Sequence, residues 1–239
     1  MLVDYHMSFV DDILFNPMTI NELEDYLSRN YVTKKEWSII SEYQKLSWQF
    51  VHKHEEEIDF AALSVNPFLN EAVIDCYSDK LNWQDIAQFY RLNNKFVDRW
   101  WPYLTRESFY LAQNKTFTVE MCDKIKDYLD WWSVSKVASE EIIRAFPEYV
   151  EWDNVLKGEH GFFTEDFYRE FIDYFDIYDL THRILGYSGY KNLLREFKDR
   201  IDWDKYKDKV GCITTSYDEV YNWWLNKKEK KQSKRKKHK

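Results

Sequence analysis

Six hydroxyl or amide side chains stand in one column of this sequence, and that column constrains the fold more than any other feature. Ser47, Asn70, Asn93, Thr118, Ser139 and Thr164 follow one another at spacings of 23, 23, 25, 21 and 25 residues. These are the residue types whose short side chains accept a hydrogen bond from the free amides of a helix's first turn. Only 36 of the 239 residues are Ser, Thr or Asn, so six in register mark a helix start that is repeated. Tyr190 occupies the same place in a seventh, weaker unit.

Other columns agree with this register without using the cap. The residue before it is Leu46, Leu69, Leu92, Phe117, Ala138 or Phe163, as a hydrophobic staple requires. Three residues after it come Phe50, Val73, Phe96, Met121, Ile142, Phe167 and Leu193. Seven after it come His54, Tyr77, Trp100, Ile125, Phe146, Phe171 and Phe197, and eleven after it Ile58, Leu81, Leu104, Leu129, Val150, Phe175 and Ile201. Those spacings lie on one stripe of an α-helix. Two residues beyond the stripe stand Phe60, Trp83, Trp131, Trp152 and Trp203, with Arg106 and Ile177 as exceptions. Three further on, Ile40, Leu63, Ile86, Phe109, Val134, Val155, Leu180 and Tyr206 open the next short helix.

A unit of roughly 24 residues holds two helices of two to three turns. Helices this short are marginal alone in water, so each must bury its stripe against a neighbour. The expected fold is therefore all-α: a solenoid of about seven short helix pairs over residues 37–226. Residues 1–36 are expected to form N-terminal capping helices, since Thr19 and Glu22 make a capping-box signature. Residues 227–239, KKEKKQSKRKKHK, hold no apolar side chain to offset the entropy of ordering and are expected to be a disordered basic tail.

Composition excludes several classes. With only five Gly and four Pro, the chain has no Gly-rich phosphate loop and few turn signals for a sandwich or barrel. No apolar run is long enough to span a membrane. MLVDYHMSF has no basic start, so no signal peptide is expected. Cys76, Cys122 and Cys212 are scattered, a reduced, intracellular pattern. That reading places the chain in the cytoplasm, with the nucleus as the alternative in a eukaryotic host. The tail carries nine Lys or Arg and one Glu, and the other 226 residues carry 25 basic and 41 acidic side chains. An overall charge of −8 thus hides an acidic body with a basic end.

Catalytic and metal chemistry find little support. His52 and His54 are two apart, whereas a helical ligand pair is usually four apart, and His54 sits in a core column. Glu159 and His160, in the Gly-flanked loop Lys157 to Gly161, are the best-placed polar pair, yet no nucleophile or third group accompanies them. No metal, cofactor or catalytic residue is expected. A contact role suits His160 better, on a loop whose two glycines mark a turn. Trp48, Trp101 and Trp132 stand off the core stripe and are candidate protein-binding anchors. Lys234, Arg235, Lys236 and Lys237 form a patch of the kind that binds nucleic acid weakly and non-specifically or directs nuclear import.

WSIISEYQKLSWQF, residues 37–50, together with Ile201, Asp202 and Trp203, resembles a repeat in uncharacterised proteins of giant DNA viruses and phages. The pattern runs W-x-x-I-S-x-x-Q-x-L-S-x-x-F-I, then an apolar residue before Asp-Trp. Trp37, Ile40, Ser41, Gln44, Leu46, Ser47 and Phe50 match it in one unit; Trp152, Phe163, Thr164 and Phe167 match more loosely. The resemblance covers about residues 37–206 and implies a helical array of viral origin, with no catalytic residues to carry across. The expected function is a non-enzymatic scaffold for a protein partner, a viral or phage factor engaging a host protein. The alternative is a nucleic-acid-associated or nuclear-targeted protein acting through its tail.

Overall fold

All six capping side chains accept the amide their column assigns to them. Phe50 N donates to Ser47, Val73 N to Asn70, Phe96 N to Asn93, Met121 N to Thr118, Ile142 N to Ser139 and Phe167 N to Thr164. A computed structural model describes residues 17–158, 163–185 and 187–206, with the two further helical positions Asn222 and Asn226. Among the described residues every regular element is a helix and none is a strand. Most of residues 207–226 of the expected array, the tail, and residues 1–16 of the N-terminal cap lie outside them.

The helices entered at the Ser/Thr/Asn column and its extensions at either end carry odd numbers here: α1 (Ile20–Arg29), α3 (Trp48–Lys53), α5 (Glu71–Tyr77), α7 (Asn94–Leu104), α9 (Val119–Ile125), α11 (Glu140–Ala145), α13 (Glu165–Glu170) and α15 (Lys191–Glu196). Between them run α2 (Lys34–Tyr43), α4 (Phe60–Ser64), α6 (Trp83–Phe89), α8 (Ser108–Leu111), α10 (Trp131–Val134), α12 (Trp152–Lys157) and α14 (Ile177–Ile184). The chain divides into two compact units, Met1–Asp130 and Trp131–Lys239. Within the first, α2 packs on α4, α4 on α6 and α6 on α8, while α3 packs on α5 and α7 on α9. Within the second, α12 packs on α14 and α13 on α15. In these pairs even meets even and odd meets odd, one repeat along, and α6 also packs on α7, the next helix in the chain.

The stripe is buried as predicted at three and eleven residues after the cap, from Phe50 to Leu193 and from Ile58 to Ile201. A further column four after the cap is buried too: Val51, Ile74, Val97, Cys122, Ile143, Tyr168 and Leu194. The aromatic punctuation closes each pair. Trp37 meets His54 at 5.3 Å between ring centres, Phe60 meets Tyr77 at 5.2 Å, Trp83 meets Trp100 at 5.2 Å, Trp131 meets Phe146 at 5.9 Å and Trp152 meets Phe171 at 4.9 Å. Every partner is the residue seven past the following cap, so the core column is filled by aromatic pairs, not by single side chains.

Two kinds of buried polar side chain join successive even helices. Ser41, Ser64 and Ser135 each accept the amide that opens the next even helix, Asp59 N at 3.1 Å, Asn82 N at 2.8 Å and Glu151 N at 2.9 Å, and Ser108 accepts Asp130 N at 3.0 Å within the first unit. Asn66 donates to Ser41 O and Gln44 O, and Asn114 to Ala87 O and Tyr90 O, all at 2.7–2.8 Å. Those carbonyls are orphans of the C-termini of α2 and α6, so each Asn caps a helix from the following repeat. Ala87 interrupts the serine column. The even helix that follows it, α8, has no side-chain cap and emerges from a 3₁₀ turn over Thr105–Glu107. This displaced register corrects the expected column: Ser108 and Leu111 are buried there, and Phe109 is only half-buried.

Three local expectations change in detail. Tyr190 makes no side-chain cap; Glu165 from the preceding repeat accepts Leu193 N at 3.2 Å in its place. Thr19 and Glu22 form the expected capping box, and α1 also supplies an odd helix of the same series, with Leu23 buried four residues after its cap. Gly158 has φ −73 and ψ 169, an extended conformation that any residue adopts. Its lack of a side chain serves a close approach, because a Cβ there would lie 2.1 Å from the Lys136 carbonyl oxygen.

Cys122 is buried on the stripe, and desolvation pushes its thiol up to about 12, whereas Cys76 is exposed. Thiolate is the reactive form, so iodoacetamide at mildly alkaline pH should alkylate Cys76 and spare Cys122 in the native protein. Peptide mapping by mass spectrometry reads this directly; equal labelling of both would contradict the burial.

Ion pairs run along the outside of the odd helices, from the fifth residue after one cap to the sixth after the next. Glu24 pairs with Lys53, Asp75 with Arg99 at 2.8 Å and Asp98 with Lys124 at 2.8 Å. In the second unit the polarity reverses: Arg144 pairs with Glu170, and Arg169 with Glu196 at 2.8 Å. Such exposed pairs contribute little each, about 0.5–1 kcal/mol, and act more by penalising a like-signed neighbour than by stabilising. Asp98→Lys should therefore cost about 0.5–1 kcal/mol in urea denaturation, and adding Lys124→Asp should recover most of it. The carboxyl of Glu24 is held below its usual value of 4.5 by hydrogen bonding to Lys53, and that of Glu55 by hydrogen bonding to Lys80. A depressed carboxyl contributes stability that is complete above the unfolded value and lost as pH falls through the folded one. The melting temperature should thus drop on acidification below the ordinary carboxylate range, and less steeply in Glu24→Gln.

Candidate functional site

The loops that enter the odd helices lie along one edge of the first unit, and Tyr43, Trp48, Phe68 and Phe89 are exposed there, whereas the exposed Tyr31 and Tyr128 lie at the other end of the odd helices. Trp48 is the first residue of α3, one past the Ser47 cap, a position that points away from the buried stripe. It is 43% exposed, and its ring lies 6.2 Å from that of His52. Phe68, two before the Asn70 cap, is 42% exposed, and Phe89 at the end of α6 is 62% exposed. The Asx turn in which Asn66 accepts Phe68 N at 2.7 Å holds the Phe68 backbone in place. Phe68 and its neighbours separate two grooves. One, of about 680 Å³, is lined by Met18, Ile20, Lys45, Trp48 and Phe68 among others. The second, of about 760 Å³, is lined by Glu42, Pro67, Phe89, Tyr90 and Arg91 among others.

Charge on this edge departs from that of the body. Residues 42–49, 65–72, 88–95 and 113–120 hold four cations against three carboxylates. Residues 54–61, 77–84, 101–108 and 126–130, at the opposite ends of the same odd helices, hold three cations against eight carboxylates. Among the described residues Lys45, Arg91, Lys95 and Lys115 are all exposed and form no ion pair. Two of the three carboxylates already have partners. Glu42 bonds the Tyr43 hydroxyl, which raises that hydroxyl above its ordinary range, and Glu120 accepts Asn94 Nδ2 at 2.8 Å. Burial, with the nearby Glu71 carboxylate, also raises Tyr90.

The other anchors named from sequence lie elsewhere. Trp101, eight residues past its cap, is half-buried with its ring 4.4 Å from Tyr128, at the far end of the odd helices from Trp48. Seven residues of helix put those two about 10 Å apart along the axis. Trp132 belongs to the second unit; it is 58% exposed, with Lys136 Nζ 2.9 Å from its ring centre. His160 and Lys234–Lys237 fall outside the described residues. His54 sits in the core column, its ring 4.6 Å from Phe50, and His52 Nδ1 lies 3.2 Å from the Tyr77 hydroxyl. No group of three or more His, Cys, Asp or Glu side chains comes together as metal ligands would among the described residues. Nor, among them, is any helix long and apolar enough to cross a membrane.

Of the exposed side chains on this edge, sequence reasoning singled out Trp48 and passed over Phe68, Phe89, Lys45 and Arg91. Their signal was positional: Lys45, Phe68 and Arg91 all stand two before a cap, in the loop between helices, where an apolar or long cationic side chain has no core to enter. No protein-family model, no curated protein and no solved structure matches this chain.

Proposed function

We propose that this chain is a non-enzymatic helical-repeat scaffold for protein–protein interaction, a solenoid of about seven short helix pairs. The observation that carries the reading is the packing of like helices on like, one repeat apart, within each unit. Contacts limited to neighbouring repeats are the mark of an array whose extended surface, not a central cleft, does the binding. Exposed tryptophan on such a surface is the residue type that anchors interfaces, which fits Trp48 and Trp132 better than the half-buried Trp101. The resemblance of residues 37–50 to giant-virus and phage repeats supports a viral or phage factor that engages a host protein inside the cell.

Affinity purification of the tagged full chain from its native infected or host cell, followed by mass spectrometry, tests this. Reproducible recovery of one protein is expected; recovery of none, or turnover of a small molecule by the purified chain, would count against it. Solution scattering tests the shape, since a solenoid has a larger radius of gyration than a globule of 239 residues. A second reading rests on the nine basic residues of the tail. Nucleic-acid retention that falls steeply with salt and vanishes on deletion of residues 227–239 would favour it.

A further inference from the structure

We infer that the loop edge of the first unit docks an extended acidic peptide whose apolar side chains recur about every three residues. This rests on the scaffold reading and names the partner class and the surface.

Three observations converge on that edge. Its two grooves adjoin the same loop, each with an exposed aromatic side chain at its rim: Trp48 with Phe68 in one, Phe89 in the other. Each groove also has one cation in its lining, Lys45 in the first and Arg91 in the second, neither of them ion-paired. The grooves are set one repeat apart, and packed helices lie roughly 8–10 Å from axis to axis. Three residues of chain in the extended polyproline-II conformation make one turn of about 9 Å, so side chains at every third position share a face and reach successive grooves. Carboxylates between those anchors would meet Lys45 and Arg91, with Lys95 and Lys115 further along.

Charge decides between occupants. The body carries 41 acidic against 25 basic side chains, so a basic ligand would be drawn to most of the surface and this edge would not select it. Single-stranded nucleic acid brings one phosphate per nucleotide and needs a groove with a large excess of cations. Here four cations face three carboxylates, an excess of one. A peptide with a few spaced carboxylates and apolar anchors fits this balance, and its backbone tolerates the polar loop ends.

The test is selection of a phage-displayed random dodecapeptide library on the immobilised full chain. Enriched peptides should carry net negative charge and apolar residues three apart. Trp48→Ala and Phe68→Ala should each weaken an enriched peptide by about tenfold or more. Lys45→Glu with Arg91→Glu should turn the selected pool from acidic to basic. All four positions are exposed or at a groove rim, and an unchanged helical circular-dichroism signal verifies that the variants fold. Peptides that enrich but ignore these substitutions would place binding elsewhere, sinking this edge while leaving the scaffold reading standing. Enrichment of basic peptides by the unmutated chain, or no enrichment, overturns the inference, and the native-cell purification then judges the scaffold reading separately. Tight binding of single-stranded oligothymidylate that Lys45→Glu with Arg91→Glu abolishes would overturn it in favour of nucleic acid.

Discussion

Replacing Asn114 by Leu should lower the unfolding free energy by about 3–5 kcal/mol, more than any of the six helix caps. Asn114 is buried, and its side chain makes three bonds to backbone: to Ala87 O and Tyr90 O, and from Thr116 N, each at 2.8 Å. Leu has nearly the same shape, so the change leaves no large cavity; it orphans two carbonyls and an amide. Each buried polar group left without a partner costs about 1–3 kcal/mol, and water reaches the Tyr90 end in part. Asn93→Ala, by contrast, removes one cap bond at a partly solvated helix start and should cost about 1 kcal/mol. Urea denaturation of the two variants side by side separates these magnitudes. A loss below about 1 kcal/mol in Asn114→Leu would mean that solvent replaces the amide and that the tie between repeats is dispensable. Asn114→Asp sharpens the reading. A carboxylate would face two carbonyl oxygens, so its pKa should rise, and the variant should regain stability as pH falls through that raised value.

The contrast between those two asparagines explains what could be read in advance. A cap works within three residues of its own position, so the column from Ser47 to Thr164 was visible in the sequence and all six members hold their amides. The stripe was visible for the same reason, since helical spacing is local. Asn114 acts across 24 to 27 residues, on carbonyls that any residue type could supply, and no local pattern announces it. The serine column lies between these cases. Ser41 stood in the repeat motif of residues 37–50, but its task, holding Asp59 N, became visible only once α2 and α4 lay side by side. Phe109 shows where periodicity misleads. The helix there starts uncapped from a 3₁₀ turn, its register slips, and Leu111 takes the buried place. For the candidate edge, Trp48 could be picked out because its angle from the stripe is a helical property. Phe68 and Phe89 could not, since exposure at a loop depends on neighbours one repeat away.

Gly158→Ala should destabilise the second unit by about 1–2 kcal/mol, and the sign of the effect is the informative part. At φ −73 and ψ 169 alanine suits the backbone as well as glycine does, and the unfolded chain loses entropy on the change. On backbone grounds alone the substitution would stabilise by about 0.4–1 kcal/mol. What opposes it is packing. The new Cβ would lie 2.1 Å from the carbonyl oxygen of Lys136, 2.7 Å from its carbonyl carbon and 2.8 Å from its Cα. These are backbone atoms, and no rotamer change can clear them. The Lys136 amide is itself tied to Ser133 O at 3.1 Å. Arg183 fixes the other side, donating to Leu156 O at 2.5 Å and to Gly158 O at 3.3 Å. One of these two segments must move by more than an ångström, which packed interiors resist at about 1–3 kcal/mol or more. Urea denaturation of Gly158→Ala decides between the two terms, because they predict opposite shifts of the midpoint. A stabilised variant would mean that the loop leaving α12 does not press against the Lys136 carbonyl.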